Sequence, residues 1–403
     1  MLRSRAIVLL ALASLIPLTS CKKTQDPDGG GALPPDPHGK DPIAAEPVVV
    51  PSTGIEGLLA SMDTSADPCQ DFYQYACGGW LDAHPRPADK PRYGRSFDTV
   101  TESNEAVLAA VLEEAAAAAK SGGAEPAVQK LGAYYGACMD MTARDAAGIA
   151  PIAPLLLEID GITNNKQLMT VLGKLHTTVW GRVGWLGPQA EPPLFAIGTE
   201  ADYMKAPDRT MATATQAGLG LPSRDMYLPP EGEKGDDGRK RLAAYQAHIT
   251  KALVLSGLEQ AQAEADAAVI LAIETELARA SLTPVQMRDT QANYHKEGFA
   301  GLKKRGNGLD WKAYFTAAGL PLTKNINIAT PDYFAAVAKV VNARPIAELR
   351  AYLRWHLIHA AAPDLDSRFD ALSFEFQQLL TGVASDLGAS AEHLQIWADS
   401  PQL

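Results

Sequence analysis

The stretch from Val100 to Gly123 reads VTESNEAVLAAVLEEAAAAAKSGG. Val100, Asn104, Val107, Leu108, Val111, Leu112 and Ala115 recur at three- and four-residue steps, while Glu105, Glu113 and Glu114 fall at outward positions. That period puts the apolar residues on one face of an α-helix, and Gly122 and Gly123 end it. The same period returns at Val128, Leu131, Tyr135 and Cys138; at Leu168, Val171, Leu172 and Leu175; and at Leu242, Tyr245, Ile249 and Leu253. Further stripes run through Ala265, Val269, Ala272, Ile273 and Leu277; Tyr333, Val337 and Val340; Leu349, Leu353, His356 and Leu357; and Phe369, Leu372, Phe376 and Leu379. One region breaks the pattern. Between Val183 and Thr215, Pro188, Pro192, Pro193 and Pro207 punctuate short runs such as Phe195 to Gly198 and Thr210 to Thr213, which read as a small β-hairpin. The expected fold is therefore mainly α, a multi-helix domain with a small β-hairpin insertion. There is no internal repeat of about 20 to 50 residues, which argues against a solenoid.

With 403 residues, 46% apolar and 21% charged, the chain is long enough for two or three domains and a sizeable core. Its 36 basic and 47 acidic residues leave a formal net charge of −11, and no basic block is longer than Lys303, Lys304 and Arg305. Nucleic acid is thereby excluded as a partner class.

The N-terminus reads as a signal rather than as fold. Arg3 and Arg5 precede an apolar run from Ala6 to Pro17, long enough for a signal peptide and too short to cross a bilayer of about 30 Å as a helix. The run closes on Leu18, Thr19, Ser20 and Cys21, which resembles the bacterial lipobox, where the cysteine is lipidated; an ordinary secretory signal with a chance cysteine is the competing reading. The expectation is an exported, membrane-anchored bacterial lipoprotein facing the periplasm or the cell exterior. Residues 1–20 would be the lipoprotein signal peptide and 21–55 a tether, which holds seven of the 28 prolines and the triplet Gly29, Gly30 and Gly31. Such a composition cannot bury enough apolar surface to offset chain entropy, so a disordered linker is expected there.

No sequence motif names a reaction. Among the eight histidines there is no H-E-x-x-H, and there is no G-x-S-x-G elbow, phosphate-binding glycine loop or C-x-x-C pair. His356 and His359 lie three apart on an expected helix, but no acidic residue within a turn completes a metal site, so packing histidines are the expectation. Four cysteines occur in all. With Cys21 given to lipid, Cys69, Cys77 and Cys138 remain, an odd number for an oxidising compartment. Cys138, on an apolar stripe, can equally be a buried free thiol.

Met62-Asp63 followed by Asp67-Pro68-Cys69-Gln70-Asp71-Phe72-Tyr73-Gln74-Tyr75-Ala76-Cys77-Gly78-Gly79-Trp80 resembles the opening of the neprilysin / endothelin-converting-enzyme family of zinc metallopeptidases. The likeness continues through Arg92-Tyr93-Gly94 with Phe97-Asp98, Tyr134-Tyr135 with Cys138-Met139-Asp140, and Gly218-Leu219-Gly220-Leu221-Pro222-Ser223-Arg224-Asp225-Met226-Tyr227-Leu228. Arg288-Asp289 with Tyr294, and Tyr352-Leu353-Arg354-Trp355-His356-Leu357, extend it. It spans about Gly57 to Gly382 and then stops, because the tail from Val383 to Leu403 lacks the family's Pro-Arg-Trp-(basic)-Arg-Cys segment.

The resemblance implies proteolysis of peptides, with 56–98 packing on a catalytic lobe, 99–382 forming a helical peptidase-family N-terminal domain and 383–403 a divergent tail. It implies that Arg92 grips a peptide substrate near its carboxylate and that Asp98 orients the region, a guanidinium fork being suited to a carboxylate. Two residues, Arg95 and Ser96, separate Gly94 from Phe97 where the family pattern has one, and a surface ion pair is the alternative role for both. By the same resemblance Cys69, Cys77 and Cys138 lack their family partners, and the family's zinc ligands lie beyond Gly382. No cofactor is therefore expected in this chain, although zinc serves the full-length family. Two readings compete. One is the N-terminal part of a lipid-anchored zinc endopeptidase, cut short, with a separately encoded catalytic part as a conceivable partner. The other is a non-catalytic envelope lipoprotein whose helical domain binds peptides or proteins.

Overall fold

The fold follows from how the helical stripes find one another. The computed structural model, which describes residues 55–87, 90, 92–122, 124–180 and 190–381, holds fifteen α-helices and a three-stranded sheet. The signal peptide with Cys21, the tether before Ile55 and the tail 383–403 lie outside the described residues.

The chain enters through α1 (Ile55–Ala60) and α2 (Phe72–Ala83). Asp71 caps α2 by accepting the Gln74 N–H at 2.9 Å, the local reason for its start. Then come α3 (Phe97–Ser121) and α4 (Pro126–Met139), joined by four residues and packed as a helical hairpin. The contact is close because Gly132 has no side chain: a Cβ there would collide with the Ala115 carbonyl. Since α3 begins at Phe97, the expected boundary at Asp98 falls inside its first turn. Only Leu112 and Ala115 of the α3 stripe are buried, whereas Val100, Val107 and Val111 are 54%, 48% and 50% exposed.

A short α5 (Met141–Ala147) connects this hairpin to the body. From it Arg144 donates to the carbonyls of Pro363, at 2.8 Å, and Leu365, at 2.7 Å. The body begins with α6 (Ala153–Asp160) and α7 (Asn165–Leu175), which runs into a π-turn at His176–Trp180. Next is the hairpin of β1 (Phe195–Asp202) and β2 (Ala206–Gln216), antiparallel with Ala196 opposite Thr215 and Gly198 opposite Thr213. The runs singled out by sequence therefore pair with each other. The sequence did not reveal β3 (Ile326–Ile328), which lies parallel to β2 and is too short to show a period.

The remaining helices are α8 (Asp236–Leu255), α9 (Gln260–Ala280), α10 (Pro284–Met287), α11 (Gly298–Arg305), α12 (Trp311–Ala317), α13 (Pro331–Ala343), α14 (Ile346–Ala361) and α15 (Ser367–Thr381). At their centre runs α14, buried from Leu349 to Ala360 on nearly every side, as expected of a helix packed among α6, α8 and α9. One expected stripe is corrected. On α9, Ala265 and Ala272 are exposed, and the face that packs is Ala263, Ala267, Ile270, Ile273, Glu274 and Leu277. An alanine-rich helix offers little contrast between faces, so its rotation is set by what the neighbouring helices can accommodate.

Candidate functional site

Arg92 and Asp98 flank the entry to α3. Arg92 is exposed, and Asp98 is half-buried in the first helical turn, where the helix dipole favours an acid. Among the described residues neither makes an ion pair. The arginine that does structural duty here is Arg95, one of the two residues of the longer spacer. It reaches the Gly57 carbonyl at 3.1 Å and the Ser61 hydroxyl, tying α1 to the start of α3. Beside it Trp80 stacks on His84 at 4.6 Å and meets Tyr93 at 5.4 Å. The Tyr93 hydroxyl donates to Glu102 at 2.7 Å, and that acceptor pushes the phenol up to about 12.

Cys69, Cys77 and Cys138 are free thiols, the first exposed and the other two half-buried. Cys69 precedes α2, which carries Cys77, and its amide donates to Asp67 in the turn before the cap. Burial pushes the Cys138 thiol up, with Asp364 adding to the shift.

The buried polar chemistry lies in the body. Glu274 of α9 is fully buried; its Oε2 accepts from Tyr227 at 2.9 Å and Tyr245 at 2.8 Å, and its Oε1 accepts from Trp355 at 3.2 Å. His356 Nε2 stands 3.1 Å from Oε1 but out of line for a hydrogen bond, and Nδ1 has no partner. The sequence showed no acid near His356 along its own helix. Tertiary packing supplies one from α9. The clue in the sequence was an acid inside an apolar stripe, Ile270, Ile273, Glu274 and Leu277. His359 does not join a metal set with His356: it packs on Trp355 and Phe376, with ring centroids 4.7 and 4.9 Å away. No group of three or more His, Cys, Asp or Glu suited to a metal ion occurs among the described residues. These residues do not fit a catalytic zinc.

The family model described as Peptidase family M13, in its N-terminal part, matches residues 68–393. The chain belongs to peptidase family M13. Endothelin-converting enzyme 1 of Rattus norvegicus is 29% identical over 338 residues, which is 81% of this chain and 41% of that enzyme. The endothelin-converting enzyme homolog of Locusta migratoria is 30% identical over 334 residues, 79% of this chain and 43% of the homolog. The Mycobacterium tuberculosis zinc metalloprotease Zmp1, solved with an inhibitor, superposes with a TM-score of 0.73 at 28% identity, covering 84% of this chain and 49% of that one. PepO of Lactobacillus rhamnosis HN001 shares the fold, with a TM-score of 0.63 at 17% identity. The chain thus spans about two fifths of the length of the curated relatives and about half of the solved chains. M13 peptidases are zinc metallopeptidases, and the neprilysin-like likeness read from the Cys69 to Trp80 block agrees with the match. The M13 match runs to residue 393, past the Gly382 at which the sequence reading placed the departure.

Proposed function

We propose that this chain supplies the helical lobe of a lipid-anchored zinc metallopeptidase acting on peptides, and that the exposed faces of α1 to α4 seat against the lobe that carries the zinc. One observation carries the reading. Among the described residues, eleven of the sixteen exposed large apolar side chains lie between Leu58 and Met139. An apolar concentration of that kind marks a protein contact rather than a solvated face. Arg92 lies in the same stretch, exposed and uncommitted to any described residue, so its guanidinium is available to a peptide carboxylate. Holding substrate without a further gain in the transition state gives no turnover, and no catalytic step is assigned to these residues. The lipid anchor is proposed at Cys21, after the run Ala6 to Pro17 and ahead of the proline-rich tether.

Two assays test this. Purified, chelator-washed chain should hold no stoichiometric zinc and cleave no quenched fluorescent peptide; about one zinc per chain with chelator-sensitive cleavage would overturn the lobe reading. Separately, Cys21→Ser should release the protein from membranes, and a variant that still sediments with them after a salt wash would rule out lipid as the anchor.

A further inference from the structure

A cavity of about 100 Å³ opens between the 216–224 loop and the turn from α9 into α10. Its wall carries Glu191 and Arg224 together with Gln216, Ser223 and Ser281. The neutral groups are committed. Gln216 exchanges hydrogen bonds with the backbone of Leu282 at 3.0 and 2.7 Å; the Ser281 hydroxyl donates to Leu277; and the Ser223 hydroxyl accepts the Asp225 amide. The two ionisable groups retain spare capacity. Glu191 accepts the Leu219 amide at 3.3 Å and is also drawn on by the Gly218 amide, and it has no cation within ion-pair distance among the described residues. Arg224 gives its Nε–H to the Ala278 carbonyl at 3.0 Å and comes no nearer than 3.8 Å to Asp225. A carboxylate can accept about four hydrogen bonds and a guanidinium can donate five, so most of that capacity is unused.

The charge balance points the same way. Burial pushes the Glu191 carboxyl above the usual range, and Glu274 adds to that shift. A cation against Glu191 would relieve that cost. The volume exceeds three times the share of one liquid water, about 30 Å³, which suits a ligand the size of a small amino acid.

We propose that this pocket binds a free small α-amino acid, its ammonium against Glu191 and its carboxylate against Arg224. The site is independent of whether the chain takes part in peptide cleavage. Equilibrium dialysis of the full chain against radiolabelled alanine tests it. Saturable binding with a Kd of about 1 mM or tighter is expected, with no measurable competition from methylammonium or acetate at the same concentration, because each offers one charge only. Glu191→Gln, whose amide oxygen can still accept the Leu219 N–H, should weaken binding at least about tenfold with unchanged circular dichroism. The proposal fails if wild-type chain takes up no alanine at about 20 mM, if acetate alone displaces it, or if folded Glu191→Gln binds it as well as wild type.

Discussion

At the scale of single residues, the most consequential side chain is Glu274. Three donors from different elements converge on it, so its removal takes the carboxylate acceptor from the hydroxyls of Tyr227 and Tyr245 and leaves Trp355 with the Tyr245 oxygen alone. Glu274→Ala should lower stability by about 3–5 kcal/mol, as for other broken buried networks, while Tyr227→Phe should cost about 1.5–3 kcal/mol. Urea midpoints at constant slope measure both; a Glu274→Ala midpoint within error of wild type would show that the network contributes nothing. The thiols give a second residue-level prediction. Cys69 is exposed, whereas burial raises the Cys138 thiol and keeps its reactive thiolate scarce. With a thiol reagent in excess, Cys69 should therefore modify first and Cys138 last, read by peptide mass. The reverse order would contradict the half-buried placement of α4. Denatured, unreduced protein should show reactive cysteine, and a dominant Cys69–Cys77 bridge would contradict the free thiols described above.

Among elements, the α3–α4 hairpin is held by one close crossing and has few other partners in the described body. Two glycines of α4 should respond in opposite directions. Gly132 meets the Ala115 carbonyl directly, so Gly132→Val must force the helices apart, whereas nothing lies within 4 Å of a Cβ at Gly136. Gly136→Ala should stabilise by about 0.5–1 kcal/mol through the lower entropy of the unfolded chain, and Gly132→Val should make residues 97–139 selectively protease-sensitive. Equal cleavage of the two variants would show that the crossing does not hold the hairpin. The solvent-facing stripe is different. Val107→Lys with Val111→Lys should change the stability of the isolated chain by no more than about 0.5 kcal/mol, since surface changes of this kind cost little. A large loss would mean that those valines are buried after all. The sequence was clear about the existence of α3, and it marked both valines as helix-face residues. Whether that face meets the body depends on where α3 stands, which periodicity does not encode.

For the whole molecule, stability should depend steeply on pH below neutrality. His176 accepts from Tyr314 at Nδ1 and donates from Nε2 to the Pro193 carbonyl, so it is held neutral, and burial pushes it down to about 3. Burial pushes His248 down to about 4, and His359 is held well below the ordinary range. The folded pKa of each is depressed, so above about pH 6.5 both folded and unfolded chains hold these imidazoles neutral and stability is full. As pH falls from there toward 4 and then 3, the unfolded chain takes up protons that the folded chain refuses, and stability drops. The slope approaches about 1.4 kcal/mol per pH unit for each histidine, and the carboxyls of Asp145 and Asp366, held low by hydrogen bonds, extend the loss at still lower pH. Urea midpoints at pH 7.5, 6 and 5 read it; a flat profile would mean that these histidines are not buried neutral.

Most of the helices, the existence and pairing of the hairpin, and the family likeness came from the sequence alone. Local period and capping residues such as Asp71 decide whether a segment is a helix, and the Cys69 to Trp80 block is too specific to arise from composition. A family motif also marks the positions of Arg92, Asp98 and the three thiols without needing their environment, and the roles it implies for Arg92 and Asp98 are proposals. Tertiary structure decided the rest. The rotation of α9 was one such feature, and the burial of Glu274 beside His356, the pairing of three-residue β3 with β2 and the cavity between Glu191 and Arg224 join residues from 33 to 114 positions apart. Contacts of that range arise only when helices pack, because desolvation and hydrogen-bond satisfaction are settled by neighbours in space and leave little trace in local sequence.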